Sequence, residues 1–350
     1  MFTITNLRFL LILIISFSVS YAITPLMRFL SVKFKILDYP DKRKIHKNPT
    51  PLLGGIAVYI AYAVSILWNL EFSIELKAIA VGSSIILLMG VVDSWKGLPA
   101  WLRLLGQLIA ASIVIFWGGA SITFIPHIPG ERIMEVLLTY VWLIGIPNAF
   151  NFLDGVDGLA TGLGVINGLM FFMIAFLTGQ VYLGFLSVAL MGACAGFLRY
   201  NWKPASIFLG DGGSTFIGFV LAGLAIMGGW TMTNPLVAMG TPLFILAVPI
   251  FDMIYITASR IKNGKVRNIK EWIDYVGKDH LHHRLINLGF GERGTVIFIY
   301  FLSLCLGING IILTRSAPGA VWLLQIQAVI ILLIITSVMI VGKKHSKNSR

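Results

Sequence analysis

The stretch 148–162, NAFNFLDGVDGLATG, places two carboxamides and two carboxylates between two long apolar segments. These polar residues are Asn148, Asn151, Asp154 and Asp157. An aspartate followed by glycine and an apolar run is typical of a helix N-cap, which is one explanation for Asp157. Ionisable groups at the edge of an apolar segment are costly, so a polar functional site at a membrane surface is the other explanation.

Two further acids lie at the same predicted depth. Asp93 closes the apolar segment 76–92, and Asp211 opens another within GDGGS, where an N-cap role is again the alternative. Carboxylates kept there without matching lysines repel one another, and desolvation makes each charge costlier. A divalent cation would remove the conflict, and oxygen-only ligands favour Mg²⁺ or Mn²⁺ over zinc.

A cluster of basic side chains occurs in HLHHRL, which contains His280, His282, His283 and Arg284. No cysteine or glutamate nearby completes a tetrahedral zinc set, so metal ligation is disfavoured. Three imidazoles are unusual in a plain solvated face. We therefore predict that these residues donate hydrogen bonds to a diphosphate or a sugar.

Another basic cluster, DKRKIHKNPTPLLGG, contains Lys44, His46 and Lys47. A loop of this composition needs no function beyond orienting the chain in a membrane. With an anionic lipid as substrate, it would also attract the lipid headgroup. Both interpretations remain open.

Asp252 differs from the other acids because it lies inside an apolar segment, in VPIFDMIY. An ionisable group at that depth is a functional candidate, and Pro249 just before it loosens the helix. A structural hydrogen bond to a neighbouring helix is the alternative.

The elements that position these residues follow from the composition. Of the 350 residues, 57% are hydrophobic and only 12% charged, and the mean hydropathy is +0.87, which indicates an integral membrane protein. The net charge of +12 is therefore interpreted as a signal of orientation rather than of nucleic-acid binding. Cys194 and Cys305 both fall in apolar segments, so neither a disulfide nor a thiolate metal site is expected.

We predict an all-α polytopic bundle of about eleven transmembrane helices, because apolar runs long enough to cross a bilayer of about 30 Å recur along the chain. The first run continues past a signal-peptide-like stretch and is interpreted as a span. The predicted spans are 7–29, 52–70, 76–92, 101–118, 133–150, 158–177, 180–198, 213–231, 236–258, 295–313 and 319–342.

The distribution of basic residues predicts the orientation of the bundle. One set of loops holds Arg8, Lys77, Arg132 and Arg315, and the other 23 of the 27 lysines and arginines lie on the opposite side. That side is cytoplasmic by the positive-inside rule. We therefore expect an outer N-terminus, a cytoplasmic C-terminus, and a multi-pass protein of the inner (cell) membrane whose active site faces the cytoplasm.

Taken together, the motifs resemble those of the polyprenyl-phosphate N-acetylhexosamine-1-phosphate transferases, over about residues 38–290. The motifs are DKRKIHKNPTPLLGG, NAFNFLDGVDGLATG, NWKPASIFLGDGGSTFIG, PIFD and HLHHRL, in that order. The HLHHRL form looks more like the bacterial GlcNAc-1-phosphate branch than the related MurNAc-pentapeptide branch. We expect a single transmembrane catalytic domain over 1–342 and a basic cytoplasmic tail over 343–350.

The resemblance implies transfer of a sugar-1-phosphate, GlcNAc-1-phosphate first among the candidates, from a UDP-N-acetylhexosamine to undecaprenyl or another polyprenyl phosphate. UMP is released, Mg²⁺ or Mn²⁺ is the cofactor, and the product feeds cell-envelope polysaccharide synthesis. Catalytic roles are implied for Asp93, Asp154 and Asp157, and metal ligation for Asp211 and Asp93. The implied substrate-binding residues are Lys44, His46, Lys47, Asn148, Asn151, Asn201, His280, His282, His283 and Arg284. Membrane lipids are further partners, nucleic acid is not, and a homodimer is left open.

One departure from the family pattern is Ser94, since the family usually has Asp-Asp where this chain has Asp93-Ser94. A homologue that is inactive or altered in substrate is therefore one alternative. A lipid transporter or flippase is another, although such proteins often show a repeated half, with ionisable residues near the bilayer midplane. Here the polar residues collect at one face, which favours the enzyme.

Overall fold

The computed structural model is almost entirely helical. It describes residues 4–40, 48–67, 73–123, 130–230, 235–267, 271, 277, 279–316 and 318–348, without the side chains of 235, 318–320 and 343–348. The helices are α1 (Ile4–Lys33), α2 (Gly54–Leu67), α3 (Ile74–Lys96), α4 (Ala100–Ser112, continued by a π-helical turn, Ile113–Trp117), α5 (Glu131–Leu153), α6 (Leu159–Thr178), α7 (Val181–Asn201), α8 (Gly210–Met227), α9 (Pro235–Ile245), α10 (Ala247–Lys262), α11 (Leu281–Asn287), α12 (Gly291–Leu313) and α13 (Pro318–Asn348).

Nine helices in the described ranges are long and apolar enough to cross a membrane, namely α1, α3 to α8, α12 and α13, with α4 counted together with its π-helical turn. They match nine of the predicted spans and confirm the all-α polytopic membrane fold. The predicted span 52–70 corresponds to the 14-residue helix α2, which is shorter than the roughly 20 residues that a straight crossing needs. The sidedness of the two termini remains a prediction.

The predicted span 236–258 is not one helix. It is broken into α9 and α10, which meet at Leu246 with a bend of 85°. Pro249 has no N–H to donate to the carbonyl of Ile245, so the hydrogen-bond ladder is interrupted at this point. Since the sequence argument counted the depth of Asp252 along a straight helix, that estimate of depth does not hold.

Helix α8 lies at the centre of the bundle. In its apolar stretch 78% of the residues are buried, against 22% in α13. Glycines allow this burial, because a Cβ on Gly90 of α3 would lie 2.2 Å from the Cα of Gly212, and one on Gly55 of α2 would lie 2.3 Å from the Cα of Gly213. The backbone of α8 therefore touches two neighbouring helices at its first turn.

A short two-stranded sheet closes the same end of the bundle. Strand β1 (Leu37–Asp38) pairs antiparallel with β2 (Thr50–Pro51), and Asp38 stands opposite Thr50. The backbone N–H of Phe208 donates to the carbonyl of Pro51 at 2.8 Å, and the N–H of Gly54 donates to Phe208. The loop before α8 is thereby joined to the loop after α1.

Candidate active site

The candidate active site lies where α3 and α5 end and where α4 and α8 begin. A cavity of about 120 Å³ opens between these four helices. Its polar lining consists of Asp93, Arg103, Gln107, Asn148, Asn151, Asp211 and Thr215. Sites that enclose a drug-sized ligand measure roughly 300–1,000 Å³, so this cavity fits a phosphate group or a hydrated cation rather than a whole nucleotide sugar.

Asp93 uses both carboxylate oxygens within its own hairpin. Its Oδ1 accepts the backbone N–H of Leu98 at 2.6 Å, and its Oδ2 lies 3.1 Å from a guanidinium nitrogen of Arg103. The side chain of Asp93 is 7% exposed, whereas that of Arg103 is 43% exposed. Arg103 is thus a cation that reaches the cavity from the solvent side and can exchange partners.

Asp211 faces Asp93 across the cavity, and the two carboxyl groups are close enough to interact. Asn151 orients Asp211 by donating from Nδ2 to its Oδ1 at 2.9 Å, and the same nitrogen lies 3.1 Å from Ser214 Oγ. The following glycines, Gly212 and Gly213, serve close helix packing. Their packing explains the GDGGS motif without any phosphate contact.

Ser94 follows Asp93 on α3 and lies near the first residue of α8. Its Oγ is 3.4 Å from the place that a Cβ would occupy on Gly210, the residue before Asp211. The residue that departs from the family pattern is therefore near the backbone at the start of α8, one residue before Asp211, where its hydroxyl offers a neutral oxygen.

Asn148 supports the cavity wall rather than projecting freely into it. Its amide pairs with Gln107 of α4 in both directions, at 2.8 and 3.3 Å, and its Nδ2 also donates to the carbonyl of Ile144. This amide pair connects α4 to α5 at the level of the cavity.

Asp154 ends α5 and is half-buried. Burial raises its pKa well above the usual value, and the charges of Asp211, Asp157 and Asp38 raise it further. Asp154 is therefore within electrostatic reach of Asp211, and Asp38 from β1 belongs to the same acidic group. No hydrogen bond to its carboxyl group is found among the described residues.

Asp157 and Asn201 hold the loop before α8. Asp157 Oδ2 accepts the N–H of Ala205 at 2.9 Å and lies 3.7 Å from Lys203 Nζ. The buried Asn201 accepts from Gly158 N–H and Thr161 Oγ1, and its Nδ2 donates to Ile207. Both side chains are used within the protein, which joins α6 to the loop 202–209.

The three histidines lie at the start of α11, next to the turn after α5. His280 is the N-cap residue, and His282 and His283 are in the first turn. His280 is hydrogen-bonded through Nδ1 to Asp252 at 2.7 Å. His282 is 1% exposed, and its Nε2 lies 2.7 Å from where a Cβ on Gly155 would be. The rings of His282 and His283 are 4.2 Å apart between centroids. The histidine cluster therefore adjoins the LDGVDG turn that carries Asp154 and Asp157.

Burial of the His282 ring favours its uncharged form. Burial lowers its pKa well below the usual value, and the charges of His283 and His280 lower it further. Neither of its ring nitrogens has a hydrogen-bond partner among the described residues. A buried, unpartnered imidazole is unusual in a folded protein, and it offers a hydrogen bond rather than a positive charge to a ligand.

Arg284 points away from the cavity. It is 4% exposed, its Nε donates to the carbonyl of Asp279 at 2.7 Å, and its Nη1 donates to the carbonyl of Met339 in α13. Its guanidinium also lies 5.5 Å from the ring centroid of Tyr255. Lys44, His46 and Lys47 lie outside the described residues.

Asp93 and Asp211 are the two acidic residues that line the cavity. In the described part of the chain, no three His, Cys, Asp or Glu side chains form a metal-binding group. Mg²⁺ typically uses one or two carboxylates, several waters and substrate phosphates. The facing pair Asp93 and Asp211 fits this requirement.

Sequence reasoning did not select Arg103, Gln107 or Asp38. Arg103 and Gln107 begin an apolar segment, where basic and amide residues are ordinary, so only their spacing after Asp93 could have singled them out. Asp38 lies three residues before the basic stretch DKRKIHKNPTPLLGG, and nothing in that stretch indicates a role for it. Its proximity to Asp154 depends on the β1–β2 pairing, which is too short to be predicted from a pattern.

Comparison with known proteins identifies the family. The model of glycosyl transferase family 4 matches residues 76–229. A probable undecaprenyl-phosphate N-acetylglucosaminyl 1-phosphate transferase of Bacillus subtilis (strain 168) is 34% identical over 91% of this chain and 87% of that protein. The chain belongs to glycosyl transferase family 4. The resemblance drawn from the motifs is confirmed.

Other members of glycosyl transferase family 4 differ in how much of the chain they match. A decaprenyl-phosphate N-acetylglucosaminephosphotransferase of Mycolicibacterium smegmatis is 30% identical over 91% of this chain and 85% of its own length. A phospho-N-acetylmuramoyl-pentapeptide-transferase of Levilactobacillus brevis is 32% identical, but over only 52% of this chain and 62% of its own length. Similarity to these N-acetylglucosamine relatives extends over more of the chain.

Proposed function

We propose that the chain transfers GlcNAc-1-phosphate from UDP-GlcNAc to undecaprenyl phosphate or another polyprenyl phosphate, with release of UMP. The observation that carries the proposal is the facing pair Asp93 and Asp211 in a cavity that also contains Arg103. The extent of similarity to the N-acetylglucosamine relatives supports the choice of sugar. The concentration of basic residues in one set of the predicted loops supports a cytoplasm-facing site in the inner membrane.

The cofactor we propose is Mg²⁺, held by Asp93 and Asp211, with Asn151 keeping the Asp211 carboxylate in place. Bound Mg²⁺ would neutralise negative charge on the transferring phosphoryl group. The hydroxyl of Ser94, which lies near Gly210 at the start of α8, would be a hydrogen-bonding partner for the water shell of the cation.

The reaction brings one phosphate anion against another, so the residues must reduce charge repulsion and align the groups. Arg103 can leave Asp93 and bind a phosphate oxygen, because its side chain is solvent-exposed on one side of the ion pair. The neutral imidazole of His282 can donate a hydrogen bond to the diphosphate or the sugar. A phosphate monoester has its second pKa near 6, so the lipid nucleophile needs no strong base.

The most direct experiment incubates the purified protein with undecaprenyl phosphate, Mg²⁺ and a panel of UDP-N-acetylhexosamines that includes UDP-MurNAc-pentapeptide. UMP release with UDP-GlcNAc, dependent on the lipid acceptor, is the expected result. Release with UDP-MurNAc-pentapeptide alone would reassign the substrate, and no release with any sugar would contradict the proposal.

Direct attack by the lipid phosphate and a covalent aspartyl intermediate are separable. Exchange of labelled UMP into UDP-GlcNAc in the absence of any lipid acceptor requires the covalent intermediate. We favour direct attack and expect no exchange, because the cavity already places both acids where a cation would sit and needs no acid for covalent chemistry.

A further inference from the structure

A chain of four titratable side chains, three of them buried, connects α10 to the start of α11. Asp252, His280 and Arg260 are 1%, 6% and 3% exposed, and Arg260 continues the chain to Asp279. Burial of so many charged groups is costly unless each one is paired. The contacts among these four side chains therefore show how each charge is compensated.

The Asp252 carboxylate makes two hydrogen bonds, one to the ring of His280 and one to the backbone at the start of α11. Its Oδ2 lies 2.7 Å from His280 Nδ1, and its Oδ1 accepts the backbone N–H of Leu281 at 2.7 Å. His280 occupies the N-cap position of α11 but makes no capping hydrogen bond with its own side chain. Asp252 supplies that cap from a different helix.

The neighbours of His280 determine its tautomer. Arg260 Nη2, which can only donate, lies 3.3 Å from His280 Nε2, so Nε2 must present its lone pair. The proton is then on Nδ1 and is donated to the Asp252 carboxylate. Both ring nitrogens of His280 are used within the protein, and neither is available to a substrate.

Arg260 fixes the other side of His280. Its Nε and Nη2 donate to the two carboxylate oxygens of Asp279 at 3.0 and 2.6 Å. This two-point contact restrains direction as well as distance. The peptide around His280 is thus held from both sides, by Asp252 through Leu281 N–H and by Arg260 through Asp279.

This series of hydrogen-bonded side chains ends next to the candidate active site. The ring of His280 stacks on the ring of His282, with centroids 6.0 Å apart and planes at 5°, and lies 5.3 Å from the ring of Phe152. His282 in turn presses on Gly155, and its ring nitrogens have no partner among the described residues. The orientation of an unpartnered imidazole against Gly155, in the turn after α5, therefore depends on a hydrogen-bonded chain that begins at Asp252.

We propose that Asp252 is a positioning residue for the transfer reaction. Its carboxylate holds His280 in the Nδ1–H tautomer and caps α11, and the stacked rings fix His282 against the turn after α5. Asp252 itself touches no reacting group. The expected change in transfer rate rests on the proposed function. The expected tautomer of His280 does not depend on it.

The test is Asp252→Asn in protein labelled with ¹⁵N-histidine. Asparagine keeps an oxygen to accept Leu281 N–H, but its amide donates to His280 and moves the proton to Nε2, where it opposes Arg260. We expect the Nδ1–H resonance of His280, assigned by its loss in His280→Gln, to disappear. The transfer rate should fall about 10–100-fold, as for other residues that orient a functional histidine.

A purely structural cap would leave both the resonance and the rate unchanged in Asp252→Asn, and either of these results overturns the proposal. Thr241→Val in α9 is the matched control, because it removes a buried intrahelical hydrogen bond in the other half of the bent pair. It should change neither readout.

A second measurement does not depend on how well Asp252→Asn folds. His280→Gln keeps the cap from Asp252 to Leu281 and should lower the rate to a similar extent. The double variant should be no slower than the slower single variant, because both remove one connected chain. Fully additive losses would overturn the proposal, whereas a wild-type protein that transfers no sugar phosphate would refute the proposed function and leave the tautomer result intact.

Discussion

The two halves of the candidate site are built in opposite ways. In the cavity, Asp93 is held by Arg103, whose side chain is 43% exposed, and Asp211 is held by a single amide from Asn151. In the histidine half, Asp252, His280, Arg260 and Arg284 are all buried, and their hydrogen bonds end on other protein groups. The cavity residues can exchange partners, whereas most of the histidine half cannot.

The difference separates chemistry from support. An exposed ion pair contributes little stability and is readily exchanged for a phosphate or a cation. A buried, fully bonded network contributes rigidity and is costly to break. His282 is the exception in its half, because it is buried yet unpartnered. The comparison predicts loss of activity without loss of stability for cavity variants and the reverse for Arg284.

The largest effect is expected for Asp211→Asn. The amide is isosteric but carries no charge for a cation, so transfer should fall to background while the melting temperature stays near that of the wild type. Rates of UMP release and a thermal melt check this. Ser214→Ala, which alters the second contact of Asn151, is the control and should keep most of the activity. Substantial transfer by Asp211→Asn would contradict the metal role.

Arg103→Gln should lower the transfer rate by about 10²–10³-fold, the usual loss when one group that stabilises transition-state charge is removed. Arg103→Lys should lose less, since it keeps the charge and loses the planar fork. Lys96→Gln removes a nearby cation that stacks on Trp95 and does not line the cavity, so its rate should be unchanged. Equal losses of rate in Lys96→Gln and Arg103→Gln would contradict a specific role for Arg103, because any nearby positive charge would then have the same effect.

Ser94→Asp restores the acidic pair found in the family pattern. A third carboxylate near Asp93 and Asp211 should lower the Mg²⁺ concentration that gives half-maximal rate several-fold, because ligand charge sets cation affinity. Titration of Mg²⁺ at fixed substrate measures this, and Ser94→Ala should raise the requirement. An unchanged requirement in both variants would place the cation elsewhere.

Arg284→Lys separates a supporting role from the substrate contact predicted from sequence. It loses the donors to Asp279 and Met339, so we expect a free-energy loss of about 1–3 kcal/mol, visible as a lower melting temperature. The KM for UDP-GlcNAc should stay unchanged. A raised KM with an unchanged melting temperature would restore the sequence interpretation.

The smallest expected effect concerns Asp154. Because its folded-state pKa is raised, its protonated form favours folding, and that stability is present at low pH and lost as the pH rises through the folded pKa. Asp154→Asn should therefore raise the melting temperature by a few degrees at pH 8 and hardly at all at pH 4. A pH-independent difference would show that Asp154 is not held in this environment.

The fold was largely predictable because apolar runs of bilayer length are a strong signal in single sequences. The break at Leu246 was not, since Pro242 and Pro249 in one span are also compatible with ordinary kinks. The 85° bend depends on how α9 and α10 pack, which a hydropathy pattern does not contain.

The candidate site was predictable as a set of residue types but not as a set of roles. Asp93, Asp211 and Asn151 come together in the cavity, whereas Asp157, Asn201, His280 and Arg284 are engaged by other protein groups. Sequence shows that a polar residue is present at a helix end. It does not show whether its hydrogen bonds are already taken, and this decides between contact with a substrate and support of the structure.

The glycine contacts at the start of α8 have a consequence for the distance between the two carboxylates. Asp211 lies in the first turn of α8, where the backbone at Gly212 and Gly213 touches α3 and α2 directly, so no flexible side chain separates the helices at these contacts. Alanine at Gly90 or Gly212 would wedge α3 and α8 apart and widen the gap that a single ion has to bridge. The range of ion radii that the site accepts is thus set by main-chain packing. In these alanine variants, the affinity for larger ions should rise relative to that for Mg²⁺.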